Sequence, residues 1–202
     1  MTQLLIATNN PGKQKEIFSL LNDVDVELVT PAKLGLNLIV NENGATYREN
    51  AAKKAIAFSK ASGMVALADD SGLEVDALGG APGLFSARYA PQPNATDADR
   101  RKYILKQLNN HPQPWLARFC CVVAIATLGG DLQFFEGNCS GIIIPHERGS
   151  QGFGYDQIFL IPSTGKTMAE LLAEEKNCLS HRANAIKKTI PTLLKLLDNN
   201  ET

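Results

Sequence analysis

The spacing of apolar residues predicts that the chain opens with a strand and a helix. Leu4 to Thr8 form the short apolar run of a buried strand, and Ile17 marks the apolar side of the helix that follows. Asn10 is a good N-cap for this helix, and Pro11 stands at its first position, where proline is favoured. This part of the sequence therefore predicts a strand–helix unit.

Four further helices are predicted from caps and helical spacing. They cover residues 46–61, 97–108 and 167–176 and a last stretch that begins after the N-cap Ser180. In the last helix Pro191 predicts a kink. Its apolar positions are Ala183, Ile186, Ile190, Leu194 and Leu197.

The middle of the chain has the pattern of β-hairpins. Residues 116–128 and 131–136 are predicted strands joined at Gly129-Gly130, and shorter strands are predicted at 142–144 and 158–161. Hairpins in the middle and strand–helix units at the ends favour the α/β class with a mixed sheet. No linker, repeat or low-complexity tract interrupts the 202 residues, so a single domain over residues 1–202 is predicted.

Two adjacent carboxylates, Asp69 and Asp70, follow the apolar run of residues 65–68. Ser71-Gly72 predicts a turn directly after them, and the alternating residues 73–78 predict another strand. Ligand sites in open α/β sheets lie beyond the carboxyl ends of strands. Neighbouring carboxylates repel each other, which suits either a hard cation or a raised pKa for general-base chemistry. The alternative is that the two aspartates only cap a turn.

Composition narrows the classes of partner. The chain has 20 Lys and Arg against 21 Asp and Glu, a net charge of −1, so no broad basic surface for nucleic acid or membranes is expected. Apolar residues make up 44%, which excludes a disordered chain. The cysteines lack zinc-site spacing, and neither a signal peptide nor a membrane-spanning run is apparent, so a cytoplasmic location is expected. The four cysteines are Cys120, Cys121, Cys139 and Cys178.

Three segments could bind a nucleotide. The turn Thr8 to Lys13 combines a helix N-terminus with a lysine and suits phosphate, although it could equally be an ordinary capped turn. The loop of residues 152–156 offers aromatic rings and backbone groups for a base, although its aromatics could instead pack in the core. Arg182 stands in the first turn of the last helix, where a cation is unfavourable unless an anion or carbonyl oxygen lies nearby.

Seven motifs in this order resemble the non-canonical purine NTP pyrophosphatases, the inosine triphosphate pyrophosphatase family. The resemblance spans about residues 4–190. The motifs are Thr8-Asn9-x-x-x-Lys13, Glu49-Asn50-Ala51, Ala68-Asp69-Asp70-Ser71-Gly72-Leu73, Gly79-Gly80-Ala81-Pro82-Gly83, Ser86-Ala87-Arg88-Tyr89, Gly152-Phe153-Gly154-Tyr155-Asp156 and Ser180-His181-Arg182.

The resemblance implies a fold, an activity and a site. The fold would be an elongated mixed β-sheet flanked by helices, with a central active-site cleft. The activity would be Mg²⁺-dependent hydrolysis of ITP, dITP and XTP to the monophosphate and pyrophosphate, in a homodimer. Asp70 would be the catalytic base and, with Glu42, a metal ligand, and Ser71 would contact the substrate. The triphosphate would be held by Thr8, Asn9, Asn10, Pro11, Gly12 and Lys13. The nucleotide, mostly its base, would be surrounded by Phe153, Gly154, Tyr155, Asp156, Lys176, His181 and Arg182.

Two other functions remain open at this level. A Maf-type pyrophosphatase would act on other nucleotides, but the His181-Arg182 step and the loop of residues 152–156 favour the first family. A nucleotide-binding module without turnover is the other alternative. The adjacent carboxylates Asp69 and Asp70 argue against it, because binding an anion does not require them. Lys54 could contact phosphate or lie on a solvated helix face.

Overall fold

The computed structural model describes residues 3–198, without the side chains of Leu197 and Asp198. The seven strands of the described residues are β1 (Gln3–Ile6), β2 (Glu27–Val29), β3 (Ala66–Val75), β4 (Trp115–Ala126), β5 (Leu132–Ile143), β6 (Phe159–Ile161) and β7 (Lys166–Thr167). The five α-helices of the same residues are α1 (Pro11–Leu20), α2 (Tyr47–Ser62), α3 (Asp97–Leu108), α4 (Ala173–Leu179) and α5 (His181–Asp198).

The strands form a mixed sheet in the order β2-β1-β3-β4-β5-β6-β7. β1 runs parallel to β2 and β3, whereas β6 runs antiparallel to β5 and β7. The predicted α/β class with a mixed sheet is confirmed.

The chain divides into two compact units. The first contains residues 3–70, 121–137 and 182–198, and the second contains residues 71–120 and 138–181. The single domain over residues 1–202 stays a prediction.

In the first unit, β1 distributes its side chains between two apolar clusters. Leu4 and Ile6 belong to the cluster that contains Ile186 of α5, whereas Leu5 belongs to the cluster that contains Phe58 of α2. Because successive side chains of a strand point to opposite faces, helices cover both faces of this strand. Strands buried on both faces are continuous apolar runs in the sequence, as β1 is.

Two helices of the first unit begin at the caps predicted for them. Asn10 Oδ1 accepts the N–H of Lys13 at 3.1 Å, and Pro11 is the first residue of α1. Thr46 Oγ1 accepts the N–H of Glu49 at 3.1 Å at the start of α2. Side-chain oxygens thus occupy backbone donors that have no partner within the helix.

β3 corrects the predicted turn after Asp70. The strand runs without interruption over Ala66–Val75, so Ser71 and Gly72 lie inside it. Gly72 is not among the described glycines with positive φ, and it therefore does not make the backbone reversal expected of a turn glycine. The strand predicted over 73–78 ends at Val75, and Asp76–Leu78 form a 3-10 helix.

β5 corrects the two strands predicted between residues 131 and 144. It is one strand, Leu132–Ile143, in which burial alternates over its second half. Gly137, Cys139, Gly141 and Ile143 are the buried positions of that half, and the first three are small. Small residues on the inner face hid the alternation that large apolar residues would have shown.

The segment before α5 also differs from its prediction. Thr167 and Glu170 form the predicted capping box, with the N–H of Thr167 2.7 Å from Glu170 Oε2, but they cap a short 3-10 helix at Met168–Glu170. The α-helix in this region is α4, Ala173–Leu179. A capping box identifies where a helix begins and does not determine its length.

α5 begins at His181, directly after the predicted N-cap Ser180, and contains Pro191. The kink at Pro191 stays a prediction, and the apolar position Leu197 lies outside the side chains that the structure describes. Within residues 3–198, no helix has both the length and the apolar character of a membrane span.

Candidate functional site

The turn between β1 and α1 is held by its own side chains. Thr8 Oγ1 accepts the N–H of Asn10 at 3.2 Å, and Gln14 Nε2 donates to the Thr8 carbonyl oxygen at 2.7 Å. These bonds fix the first turn of α1, where the helix dipole favours an anion. Of the residues predicted to hold phosphate, Thr8 is buried, Gly12 and Lys13 are half-buried, and Asn9, Asn10 and Pro11 are exposed.

Asp69 and Asp70 are both buried, but they project from opposite faces of β3. Residues two apart in a strand share a face. Asp69 therefore shares the face of Leu67, which belongs to the cluster of α1 and α5, whereas Asp70 shares the face of Ala68, which belongs to the cluster of α2. The two carboxylates therefore meet different helices and different cations.

Asp69 is the centre of a buried ion cluster. Its Oδ2 lies 3.0 Å from Lys13 Nζ and accepts two hydrogen bonds from Arg182, at 3.1 Å from Nε and 3.0 Å from Nη2. Arg182 also pairs with Glu16 through Nη1. Although burial opposes ionisation, Lys13 and Arg182 outweigh it and hold the pKa of Asp69 well below its usual range. Asp69 is therefore ionised at neutral pH and binds both cations.

Asp70 has a different environment. Its Oδ2 accepts a hydrogen bond from Asn50 Nδ2 at 3.1 Å, and its Oδ1 lies 3.5 Å from Lys54 Nζ. Lys54 Nζ also lies 3.1 Å from Glu42 Oε1. Burial raises the pKa of Asp70, and Glu42 acts in the same direction against the opposing effect of Lys54. A carboxyl with a raised pKa is suited to accept a proton near neutrality.

The Asp70 cluster has donors that fit Mg²⁺. Among residues 3–198, no group of three or more His, Cys, Asp and Glu is arranged to hold a metal ion. Mg²⁺, however, commonly takes only one or two carboxylates and completes its shell with water and substrate phosphates. Glu42 and Asp70 both lie within 3.5 Å of Lys54 Nζ, so a single cation already reaches both carboxylates. The two carboxylates therefore fit an ion whose remaining ligands are water and phosphate oxygens.

In the second unit, residues 152–156 form a loop closed by Asp156. Asp156 Oδ2 accepts the N–H of Phe153 at 2.9 Å and pairs with Lys176 Nζ at 2.7 Å. The Lys176 ammonium also lies 5.5 Å from the centroid of the Phe153 ring. Gly152 has a φ of +75°, and a Cβ there would lie 2.0 Å from Asp156 Oδ2, so only glycine fits.

Tyr155 packs in the core of the second unit, as the core-packing alternative expected. It is 3% exposed, and its hydroxyl donates to the Ser86 carbonyl oxygen at 2.9 Å. Phe153 and Ser71 are half-buried. Within this loop, Phe153 is therefore the better placed ring for stacking on a base.

His181, the first residue of α5, is buried in the second unit. Its imidazole stacks on the Phe119 ring, with centroids 4.7 Å apart and planes 14° from parallel. Phe119 in turn packs on Phe159 at 4.5 Å between centroids. Stacking of this kind fixes the plane of the imidazole.

The predicted residues fall into both units, and the structure adds partners that the sequence reasoning did not assign. Glu16 joins Arg182, Asn50 joins Asp70, and Asp97 and Arg101 bond to Gly154. Asn50 had a signal, since it belongs to one of the seven motifs. The other three are polar residues at ordinary helix positions, and nothing in their spacing indicated a partner.

A model of the Ham1 family matches residues 4–192 of the chain. The chain belongs to the Ham1 family. A dITP/XTP pyrophosphatase of Desulforamulus reducens is 44% identical to this Ham1-family chain, and the alignment covers 98% of this chain and 99% of the relative. A dITP/XTP pyrophosphatase of Bacillus subtilis is 41% identical and covers 98% of each. The solved structure of a HAM1 protein from Coxiella burnetii matches with a TM-score of 0.86 at 38% identity, over 96% of this chain and all of that one. The resemblance found in the sequence motifs and the predicted fold class are thereby confirmed.

Proposed function

We propose that the chain hydrolyses deaminated purine nucleoside triphosphates, namely dITP, ITP and XTP, to the nucleoside monophosphate and pyrophosphate. Full-length relatives named dITP/XTP pyrophosphatase support this activity. The observation that carries it is the Asp70 cluster, in which a buried carboxyl of raised pKa stands beside Glu42, Lys54 and Asn50. Binding alone would not require such a carboxyl, whereas the activation of water does.

Binding of the triphosphate is assigned to the first turn of α1. Its backbone N–H groups and the ammonium of Lys13 are donors of the kind that phosphate oxygens accept. Lys13 Nζ is held 3.0 Å from Asp69 Oδ2, so its position does not depend on the substrate. Such prior placement lowers the entropic cost of binding.

Hydrolysis is assigned to Asp70. A water oxygen attacks the α-phosphorus, the bond from that phosphorus to the bridging oxygen breaks, and pyrophosphate leaves. Asp70 accepts the proton that the water loses. Asn50 orients the carboxylate through Oδ2, and Lys54 stabilises negative charge nearby. Mg²⁺ held by Asp70 and Glu42 would supply further neutralisation of the phosphate charge.

Recognition of the base is assigned to residues of the second unit. The Phe153 ring offers a stacking surface, with the Lys176–Asp156 ion pair beside it. The carbonyl at position 6 of hypoxanthine or xanthine accepts a hydrogen bond, and an imidazole N–H of His181 can donate one. The amino group of adenine at that position donates instead, so His181 would favour the deaminated base.

Mg²⁺ dependence, a homodimer and a cytoplasmic location belong to the same proposal. Loss of turnover in a chelator, with recovery on addition of Mg²⁺, tests the first. Sedimentation of the intact chain tests the second.

The activity is tested by a hydrolysis screen with identified products. We expect dITP, ITP and XTP to be cleaved faster than dATP, because the base site favours an acceptor at position 6. We expect them to be cleaved faster than dGTP as well, because the relatives are named for dITP and XTP. Chromatography should detect monophosphate and pyrophosphate as first products. Primary release of orthophosphate, or equal rates on all the triphosphates, would overturn the proposal.

Removal of the Lys13 ammonium is expected to slow hydrolysis of every triphosphate by a similar factor. Lys13→Met should lower kcat/KM by a factor that corresponds to about 2–4 kcal/mol of lost transition-state stabilisation, the range for a charge-assisted contact in a partly dry site. Lys15→Met is the matched control, since Lys15 is exposed on the same helix. Steady-state rates on dITP and dATP decide the matter, because a loss restricted to deaminated substrates would make Lys13 a reader of the base.

A further inference from the structure

The first two turns of α3 are bonded to Gly154, in the middle of the loop assigned to base recognition. Asp97 Oδ2 accepts the N–H of Gly154 at 2.7 Å. Arg101 Nη1 donates to the carbonyl oxygen of Gly154 at 2.8 Å. Asp97 and Arg101 lie one helical turn apart, so they share a face of α3. One anionic acceptor and one cationic donor thus hold the two polar groups of a single residue.

This arrangement fixes the backbone where it is intrinsically most free. Gly154 has a φ of +61°, and glycine is the residue with the widest choice of backbone conformation. Its N–H belongs to the peptide unit shared with Phe153, and its carbonyl belongs to the peptide unit shared with Tyr155. With both units held, φ and ψ of Gly154 are both restrained. The bonds from α3 to Gly154 therefore restrain the orientation of the neighbouring residue Phe153.

The arginine of this pair is itself held in place. Arg101 is 8% exposed, and its Nε and Nη2 donate to the two carboxylate oxygens of Glu147, at 2.8 and 3.2 Å. A guanidinium that binds a carboxylate through two N–H groups has a fixed plane, so the third donor is aimed at Gly154. Asp97 is flanked by Arg100, with which it also forms an ion pair.

We propose that Asp97 and Arg101 are positioning residues for base discrimination, because they hold Gly154 and thereby the Phe153 stacking surface in one orientation. The inference rests on the proposed function, in which Phe153 stacks on the purine. Asp97 and Arg101 need not touch the nucleotide. Their effect is to remove alternative loop conformations in which dATP would be accepted as readily as dITP.

The test uses the intact chain and four variants. Asp97→Ala removes the acceptor for the Gly154 N–H, whereas Asp97→Asn keeps an oxygen of the same shape and should restore the wild-type behaviour. Arg101→Met keeps the buried stem and removes the donors. Lys106→Met is the matched control, since Lys106 is an exposed cation on the same helix.

Two measurements are made on each variant. In the absence of nucleotide, hydrogen exchange followed by NMR should show the Gly154 amide exchanging about tenfold faster in Asp97→Ala than in wild type or Asp97→Asn. In steady-state kinetics, the ratio of kcat/KM for dITP to that for dATP should fall about tenfold in Asp97→Ala and Arg101→Met, because a base that stacks on a Phe153 ring of variable orientation is no longer held where only an acceptor at position 6 is paired.

The outcomes separate this inference from its alternatives. A structural role alone would lower the rates on dITP and dATP by the same factor and leave their ratio within about twofold of wild type, which would overturn the proposal. Faster amide exchange with an unchanged ratio would overturn it as well, since the loop would then be held without affecting discrimination. Failure of the proposed function is seen earlier, in a wild-type chain that does not prefer dITP.

Discussion

Asp70→Asn is expected to lower turnover by a factor on the order of 10²–10⁴, the usual contribution of a general base. The substitution keeps the shape of the side chain and can keep the hydrogen bond from Asn50 Nδ2, which lies 3.1 Å from Asp70 Oδ2. It removes the proposed proton acceptor and one of the two carboxylates proposed to hold Mg²⁺. The loss should therefore appear in kcat for dITP, ITP and XTP alike.

The same variant is expected to keep its stability. Burial raises the pKa of Asp70, so the folded chain binds a proton at this carboxyl more readily than the unfolded chain does. Ionised Asp70 therefore disfavours folding at neutral pH, and neutralising it should leave the free energy of unfolding within about 1 kcal/mol of wild type or raise it.

Urea unfolding at neutral pH in a chelator measures that stability, and turnover of dITP measures the activity. Asp76→Asn is the control, because Asp76 is exposed directly after the end of β3 and should change neither quantity. An Asp70→Asn chain that retained more than about a tenth of the wild-type rate would exclude Asp70 as the base. An Asp70→Asn chain whose free energy of unfolding was lower than that of wild type by clearly more than about 1 kcal/mol would show that the carboxylate stabilises the fold.

The elements with local signals were predictable from the sequence. α3 has the predicted bounds of residues 97–108, because the helical spacing of its apolar residues is a signal that acts within a few residues. β3 and β5 were mispredicted for the same physical reason. Gly72, interpreted as part of a turn, and Gly137, which follows the strand predicted over 131–136, both lie inside continuous strands, because pairing with neighbouring strands continues a strand regardless of local propensity.

The candidate site was predictable as a set of residues and not as a set of contacts. The motifs named Asp69, Asp70 and Arg182, but adjacency in the sequence suggested that the two aspartates act together. Their separation onto opposite faces follows from the strand continuing through them, which the predicted turn had hidden. The bond from Arg101 to Gly154 joins residues far apart in the sequence, and no local pattern encodes it.

Asp69→Asn should have the opposite effect to Asp70→Asn and destabilise the fold. Asp69 is fully buried, and its Oδ2 meets Lys13 Nζ at 3.0 Å and Arg182 Nη2 at 3.0 Å. Neutralising it removes the carboxylate charge that accepts two hydrogen bonds from Arg182, which is 1% exposed, while the pair of Arg182 with Glu16 stays. Breaking a buried ion pair from one side typically costs about 3–5 kcal/mol, because the other charge stays buried.

The pH dependence of this loss has a defined sign. The lowered pKa of Asp69 means that the unfolded chain binds a proton at this carboxyl more readily than the folded chain does. The stabilisation is therefore complete above the unfolded pKa of the carboxyl and is lost as the pH falls through the folded one. Urea unfolding in a chelator should show a difference in the free energy of unfolding between wild type and Asp69→Asn that is largest near neutral pH and becomes smaller in acid. The control Asp25→Asn, at an exposed position of the same unit, should show no such difference. If Asp69→Asn had the same free energy of unfolding as wild type at neutral pH, the buried pairs would contribute no net stability, and the role of Asp69 would be limited to the placement of Lys13.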